Sequence, residues 1–368
     1  MEDEEGSIAS FSNESIHLAQ IAVNQIDAAG GVDCHLLKLF VADETTSAAS
    51  AANTLVLQDN VSAIVGISYS GDAVAIMPFL SQHHIITIMT TAGLNGMLDN
   101  LTTDYSAYQY FFRIEPNDID YAASVMNYTA TVIKPSSIYF VAEDFGPGGF
   151  SEEIFQNMTN LAATDGLKIA GSTFVPLSQT DFTTTASTVA AANPGLVIDC
   201  QTGSGVGSFI QDLKAANPNI KVLYMCNGAL ADPGFQEYLL SSTPTLLNGV
   251  IFQIEASTAT VPLNNVSSYV ATQYKQAMGT PYYSFVSNSY TAVQVLAAAM
   301  RQAGTISNTT AIVQALQTVK YTGPTGTVQF DSLHHWVPDF WYTQIQNGTE
   351  KVIYPSAYAN GSYNTTSS

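Results

Sequence analysis

Short, wholly apolar runs alternate along this chain with longer stretches whose apolar positions recur at helical spacing. The first kind suits strands buried on both faces, and the second suits helices with one buried face. From Asn13, read as an N-cap, Ile16, Ala19, Val23 and Ile26 fall on one helical face, and Gly30-Gly31 ends the helix. "LLKLFVAD" then reads as a strand and "TTSAASAANTLVLQ" as a helix capped by Thr45 or Thr46. "AIVG" reads as a strand, "GDAVAIMPFLSQ" as a helix and "IITIM" as a strand. Strands of this kind with amphipathic helices between them imply a parallel sheet covered on both faces.

The alternation restarts after "FFRIEPNDIDYAAS", where Pro116 interrupts it and a crossover between two lobes is expected. "SSIYFVAE", "LKIAGSTFV", "GLVIDC" and "IKVLYMC" are predicted strands, with helical patterns between them. After "GVIFQIEAS" come predicted helices over Val266–Met278, Phe285–Ala303 and Thr309–Val319. Strands follow around Val328, Phe340–Ile345 and Val352. The expected fold class is α/β: two doubly wound parallel-sheet lobes joined by crossover strands. Residues 1–117 with 253–326 would form one lobe and 118–252 with 327–357 the other. The Ser/Thr-rich tail 358–368 would be unstructured.

Composition narrows the function. The 368 residues suffice for two cores. Only 11% are charged, and 30 acids against 10 bases give a net charge of −20. That excludes a nucleic-acid binder, which needs clustered Lys and Arg. No apolar run reaches the length of a membrane span, and no secretory leader pattern opens the chain. Asn-x-Ser/Thr triplets recur at Asn13, Asn60, Asn100, Asn127, Asn157, Asn265, Asn308, Asn347, Asn360 and Asn364. A chain rich in these residues produces some by composition alone; the other reading is a glycoprotein. With every carboxylate protonated the charge would be only +16, a modest self-repulsion. An acidic exterior is the expected setting, as for an acidophile. Of the three cysteines, Cys34, Cys200 and Cys226, each reads as a buried thiol. A disulfide between Cys200 and Cys226 is the open alternative, since both end predicted strands.

Several ordered motifs carry a family resemblance. "LAQIAVNQIDAAGGV", "VSAIVGISYSGDAVAIMPFLSQHHIITIMTTAG", "FFRIEPNDIDYAAS", "VAEDFGPGGFSE", "YTAVQVLAAAMRQAG" and "GPTGTVQFDSLHH" resemble, in sequence order, segments of one family. These are the substrate-binding proteins of branched-chain amino acid ABC transporters, with the type I periplasmic-binding fold. The resemblance spans roughly residues 7 to 355. It implies an extracytoplasmic protein, attached to the outer face of the cell membrane, that traps a small ligand between hinged lobes. It would act as a monomer and deliver the ligand to a membrane ABC permease. A ligand-binding sensor domain of the same fold is the alternative.

The resemblance also implies site residues. Ser68, Tyr69 and Ser70, with Thr90, Thr91 and Ala92, match carboxylate-gripping loops, where hydroxyls and free helix N–H groups replace a basic side chain. N-capping by Ser70 and a plain turn at Thr90 are the structural alternative. Phe145 stands where the family has Tyr, keeping a stacking surface without its hydroxyl. Tyr290 matches a cleft aromatic, with core packing as the alternative. Phe11, with Ser10 and Ser12, corresponds to a ligand-touching loop. Thr202 and Gly203 would face the ligand from the second lobe. Where amino-acid binders carry an acid for the ligand's ammonium, this chain has Asn227-Gly228; Asp144, Asp199 or Glu255 is the alternative source of an acid, though none sits in that position. A carboxylate without an amine, an amide or an aromatic acid is therefore expected, because an unpaired buried ammonium is costly. Family members also begin with an apolar strand before "GSIASFS", whereas here only acidic Met1–Glu5 precede it. An incomplete gene start is expected on that ground.

Three other chemistries are set aside. The turn "TGSGVGS" invites comparison with a dinucleotide-binding loop, but Ser208 stands where Gly-x-Gly-x-x-Gly needs its third glycine, so no cofactor is expected. His83-His84 and His334-His335 are adjacent pairs that diverge on either a strand or a helix. They read as surface histidines rather than metal ligands. No nucleophile elbow or catalytic carboxylate spacing occurs, so an enzyme is not expected.

Overall fold

A computed structural model describes residues 1–2, 9–202, 205–225, 247–280 and 283–365. The chain divides into two compact units, Met1–Asn117 with Ala256–Asp339 and Asp118–Glu255 with Phe340–Ser368. The chain first passes from one unit to the other after Asn117. The last crossing lies after Asp339 rather than residue 326, because 331–336 is tied to the first unit: Arg113 N donates to His334 O and Trp336 N to Arg113 O.

In the first unit, β1 (Ala63–Gly66), β2 (Ile86–Met89) and β3 (Phe111–Arg113) form a parallel sheet in that order. The helix Ser70–Gln82 and the consecutive stretches Ala48–Asn53 and Thr54–Gln58 bury Ala51, Ala52, Leu55, Ile76 and Leu80 against it. The long helix Ala9–Ala28 packs on Ser287–Ala303. Asn13 lies inside the first helix rather than capping it, and Ser47 rather than Thr45 or Thr46 caps the next, accepting from Ser50 N. "LLKLFVAD" does not become a strand. Among the described residues its only ladder contact is one parallel bridge from Asp43 to Glu2. Between Leu37–Val41 and β1 runs a groove of about 340 Å³, walled by Ile16, Val23, Ile64, Val293 and Met300. Backbone groups without a neighbouring strand form no ladder, however apolar the side chains.

The second unit carries a seven-stranded sheet in the order β12-β11-β8-β7-β6-β4-β5. Its strands are β4 (Ile138–Glu143), β5 (Ile169–Val175), β6 (Leu196–Cys200), β7 (Val222–Tyr224), β8 (Ile251–Glu255), β11 (Phe340–Gln346) and β12 (Thr349–Tyr354). The first five are mutually parallel, and β11 is antiparallel to both β8 and β12. From β4 the chain goes to β5 on one side and then to β6 on the other. The topological switch point, where such sheets bind ligands, therefore lies at the carboxyl ends of β4 and β6. One sheet face buries Ile138, Phe140, Ala142, Leu196, Ile198 and Cys200. The remaining hairpin, β9 (Tyr321–Gly323) with β10 (Gly326–Val328), belongs to the first unit.

Three expectations change. The tail is ordered at least to residue 365: Trp341 stacks on Tyr358, and Asn364 exchanges hydrogen bonds with Gln344 through N and O. Cys200 is disulfide-bonded and Cys34 is exposed and free, so neither is the buried thiol expected; Cys226 lies outside the described residues. His334 is buried, stacked on Phe112 at 4.1 Å with the ring planes 2° from parallel. It packs on β3 rather than lying at the surface.

Candidate functional site

In parallel sheets the strand-to-helix loops collect at the carboxyl edge, where helix N-termini leave backbone N–H groups unused. In the first unit these are the loops after β1 and β2. Gly66 and Met89 are paired at the strand ends, and Thr90 N donates to Gly66 O at 3.2 Å. Ser70 Oγ, at the start of the helix Ser70–Gln82, accepts from Leu94 N at 3.1 Å. The two loops are thereby tied together. Between those ties, Thr90 Oγ1 and Thr91 Oγ1 are buried and have no hydrogen-bond partner among the described residues. An unbonded buried hydroxyl costs about 1–3 kcal/mol, so two adjacent ones describe a place built to bond something else. Ala92 is fully buried beside them.

Ser68 is already engaged. Its N–H donates to Glu44 Oε1 at 2.5 Å and its hydroxyl to Glu2 Oε2 at 3.4 Å. It does not present a free amide, which corrects its expected place in the grip. Burial pushes both carboxyls up, Glu2 to about 8. Tyr69 is half-buried with extended backbone and makes no side-chain cap of the helix it precedes. Phe11 is buried and stacks on Phe285, with ring centroids 4.9 Å apart. Tyr290 sits between the helices Ala9–Ala28 and Ser287–Ala303, 1% exposed, with its hydroxyl donated to Gln25 Oε1 at 2.5 Å. Its hydroxyl and ring are used in core packing, the alternative the pattern left open.

In the second unit the switch point holds an acid that pattern reading missed. Glu143, the last residue of β4, is buried, and its Oε2 accepts both the N–H and the hydroxyl of Thr202, at 2.8 and 2.5 Å. The sequence signal was a carboxylate closing the apolar run "IYFVAE". Asp199 lies on the same sheet face in the neighbouring strand β6. Its Oδ1 accepts from Gln201 Nε2 at 3.0 Å, while Oδ2 is buried without a partner among the described residues. Burial pushes the Asp199 carboxyl up to about 8, opposed by Gln201 and reinforced by the charge of Glu143. Tyr224 donates its hydroxyl to Gln201 O at 2.6 Å, fixing the start of the same loop. Phe145 is half-buried in the loop after β4, with Gly149 packed against its Cβ. Asp144 is exposed and turned back onto Gly146 N. Gly203 and Asn227 lie outside the described residues.

No group of His, Cys, Asp and Glu able to hold a metal occurs among the described residues. The arrangement offers hydroxyls, amides and aromatic surface, a set suited to holding a small polar molecule.

Two α/β units, each with its polar loops at the carboxyl edge of a parallel sheet, define the type I periplasmic-binding fold. The chain belongs to the periplasmic binding protein family, whose model matches residues 1–350. It is 24% identical over 314 residues to a Leu/Ile/Val-binding protein homologue of Brucella melitensis, covering 84% of this chain and 80% of that one. Among solved structures it is similar to the branched-chain amino acid substrate-binding protein of Streptococcus pneumoniae in complex with isoleucine. The TM-score there is 0.81, with 20% identity and coverage of 96% and 97% of the two chains. It is similar also to a solute-binding protein of R. palustris in complex with benzoate, with a TM-score of 0.81, 16% identity and coverage of 100% and 97%.

Proposed function

We propose that this chain is an extracytoplasmic solute receptor that captures a small carboxylate, amide or amino-acid-like molecule and delivers it to an ABC permease. The adjacent hydroxyls of Thr90 and Thr91, without partners among the described residues, are the observation that carries this reading. A carboxylate would receive both, together with N–H groups at the start of the helix Ser70–Gln82, without a basic side chain. Thr202 and Phe145, with Gly203 and Asn227, would supply the second unit's contacts. Closure of the two units would exclude water and strengthen each hydrogen bond.

Ligand class follows from charge. By the family resemblance, Asn227 would take the position where amino-acid binders carry an acid for the ligand's ammonium, and burial pushes the Asp199 carboxyl up to about 8. Both favour an acid without an amine. The benzoate complex of one structural neighbour is in keeping with this, and the isoleucine complex of another names the competing ligand. No helix among the described residues is long and apolar enough to cross a membrane. Family membership supports placement outside the cytoplasmic membrane, and the low positive charge at full protonation supports an acidic exterior.

The test is calorimetry with benzoate, isoleucine and leucine on the wild type and on Thr90→Val with Thr91→Val. Tight binding of a carboxylate that the double variant weakens supports the reading. Carboxylate binding that the double variant leaves unchanged, or none at all, overturns it.

A further inference from the structure

The chain has 22 asparagines, and ten of them stand in Asn-x-Ser/Thr triplets. With 34 serines and 37 threonines among 368 residues, chance would set only about four of the 22 in such triplets. The excess is matched by placement. Asn13, Asn60, Asn127, Asn265, Asn308, Asn347, Asn360 and Asn364 are exposed, eight of the nine whose side chains are described. Among the eleven described asparagines outside such triplets, five are exposed, and Asn117 and Asn288 are buried. Composition explains neither the number nor this segregation.

Local geometry presents the nitrogen at several of these sites. Asn308 caps the helix Thr309–Leu316 by accepting from Ala311 N through Oδ1, at 3.2 Å, so its bond uses the amide oxygen. Asn360 accepts from Val352 N through Oδ1 at 2.8 Å in the same manner. Asn347 tips the hairpin between β11 and β12, with φ at +52° and Gly348 after it at +71°. Asn157 is the exception: half-buried, with its Nδ2 donated to Asp118 Oδ2 at 2.9 Å.

We infer that the exposed triplets are N-glycosylation sites and that both units carry a carbohydrate coat. In each transfer Asn Nδ2 would form a bond to C1 of an activated sugar, a glycosyl pyrophosphate. The C1–O bond to pyrophosphate breaks, its electron pair leaves with the pyrophosphate, and the amide proton passes to a base of the transferase. Sugar hydroxyls hydrate a surface without titrating. They would do for a chain with 11% charged residues what surface ions do elsewhere, and at any pH.

The experiment is peptide mass mapping of the protein isolated from its own organism, before and after chemical removal of glycans. Exposed-triplet peptides are expected to carry sugar mass that the treatment removes. Asn157 should have the lowest occupancy, and the exposed asparagines outside triplets (Asn24, Asn53, Asn160, Asn193, Asn219) should carry none. Changing Asn308 or Asn347 to Gln should remove one glycan step from the intact mass while the ligand affinity stays unchanged. Unmodified peptides throughout would overturn the inference. So would occupancy of Asn157 equal to that of Asn347, because placement would then decide nothing.

Discussion

One carboxylate oxygen of Glu143 holds both the N–H and the hydroxyl of Thr202, joining the end of β4 to the loop after β6. These strands flank the switch point of the seven-stranded sheet, so the bond sets the shape of the second unit's candidate site. Thr202→Val removes the hydroxyl and leaves half of that grip. Hydrogen bonds to charged acceptors contribute about 1.5–3 kcal/mol, so urea unfolding should register a loss of roughly 1–3 kcal/mol. An effect below a few tenths would mean that the carboxylate is satisfied without Thr202.

Thr90→Val and Thr91→Val should behave in the opposite sense. Each removes a buried hydroxyl that has no partner among the described residues. Removing such a group at constant shape is neutral or stabilising, so the melting temperature should hold or rise. Affinity for a carboxylate ligand should fall by about tenfold or more per hydroxyl, the equivalent of some 1.4 kcal/mol. Loss of stability instead would place these hydroxyls in the framework of the fold.

Asp199 predicts a pH dependence. An ordinary aspartate titrates near pH 4, whereas burial holds this one near 8. Below about pH 4 both folded and unfolded states keep the proton, and the contribution is fully present. Between about 4 and 8 only the folded state keeps it, so stability falls as pH rises, by up to ~1.4 kcal/mol per unit. Above about 8 the loss is complete. Thermal melts of Asp199→Asn and wild type across this range should show a shallower decline in the variant, with the two curves nearest at the acid end. Identical slopes would refute the assignment.

Gly30 and Gly31 end the first helix with φ at +97° and +78°, but only one of them is crowded. A Cβ on Gly31 would lie 2.1 Å from His35 O, a backbone atom, whereas one on Gly30 would meet nothing within 4 Å. Gly30→Ala should therefore cost only the backbone strain, about 1–2 kcal/mol. Gly31→Ala should cost more than about 3 kcal/mol, since backbone must move as well. Equal costs in chemical denaturation would show that the clash relaxes freely.

Periodicity made the order of strands and helices legible, because each of those segments buries a face that its own pattern declares. Leu36–Val41 shows where this stops: its residues suit a strand, but a strand exists only where a neighbour supplies the other half of the ladder. The loops after β1, β2 and β6 were readable as a candidate site from their place between strand and helix. The roles within them were not. Ser68 looked like Thr90 in sequence, yet Glu44 and Glu2 occupy one while the other stands unbonded. Tyr290 looked like a wall of the site and proved to be a strut between two helices.

Local pattern and composition thus settled what each segment is and which partners its charge excludes, since those depend on neighbours in the chain. Folding alone decided which polar atoms are spent on one another and which are left over. That follows from contacts between residues far apart in sequence, such as Glu143 with Thr202, which no spacing rule encodes.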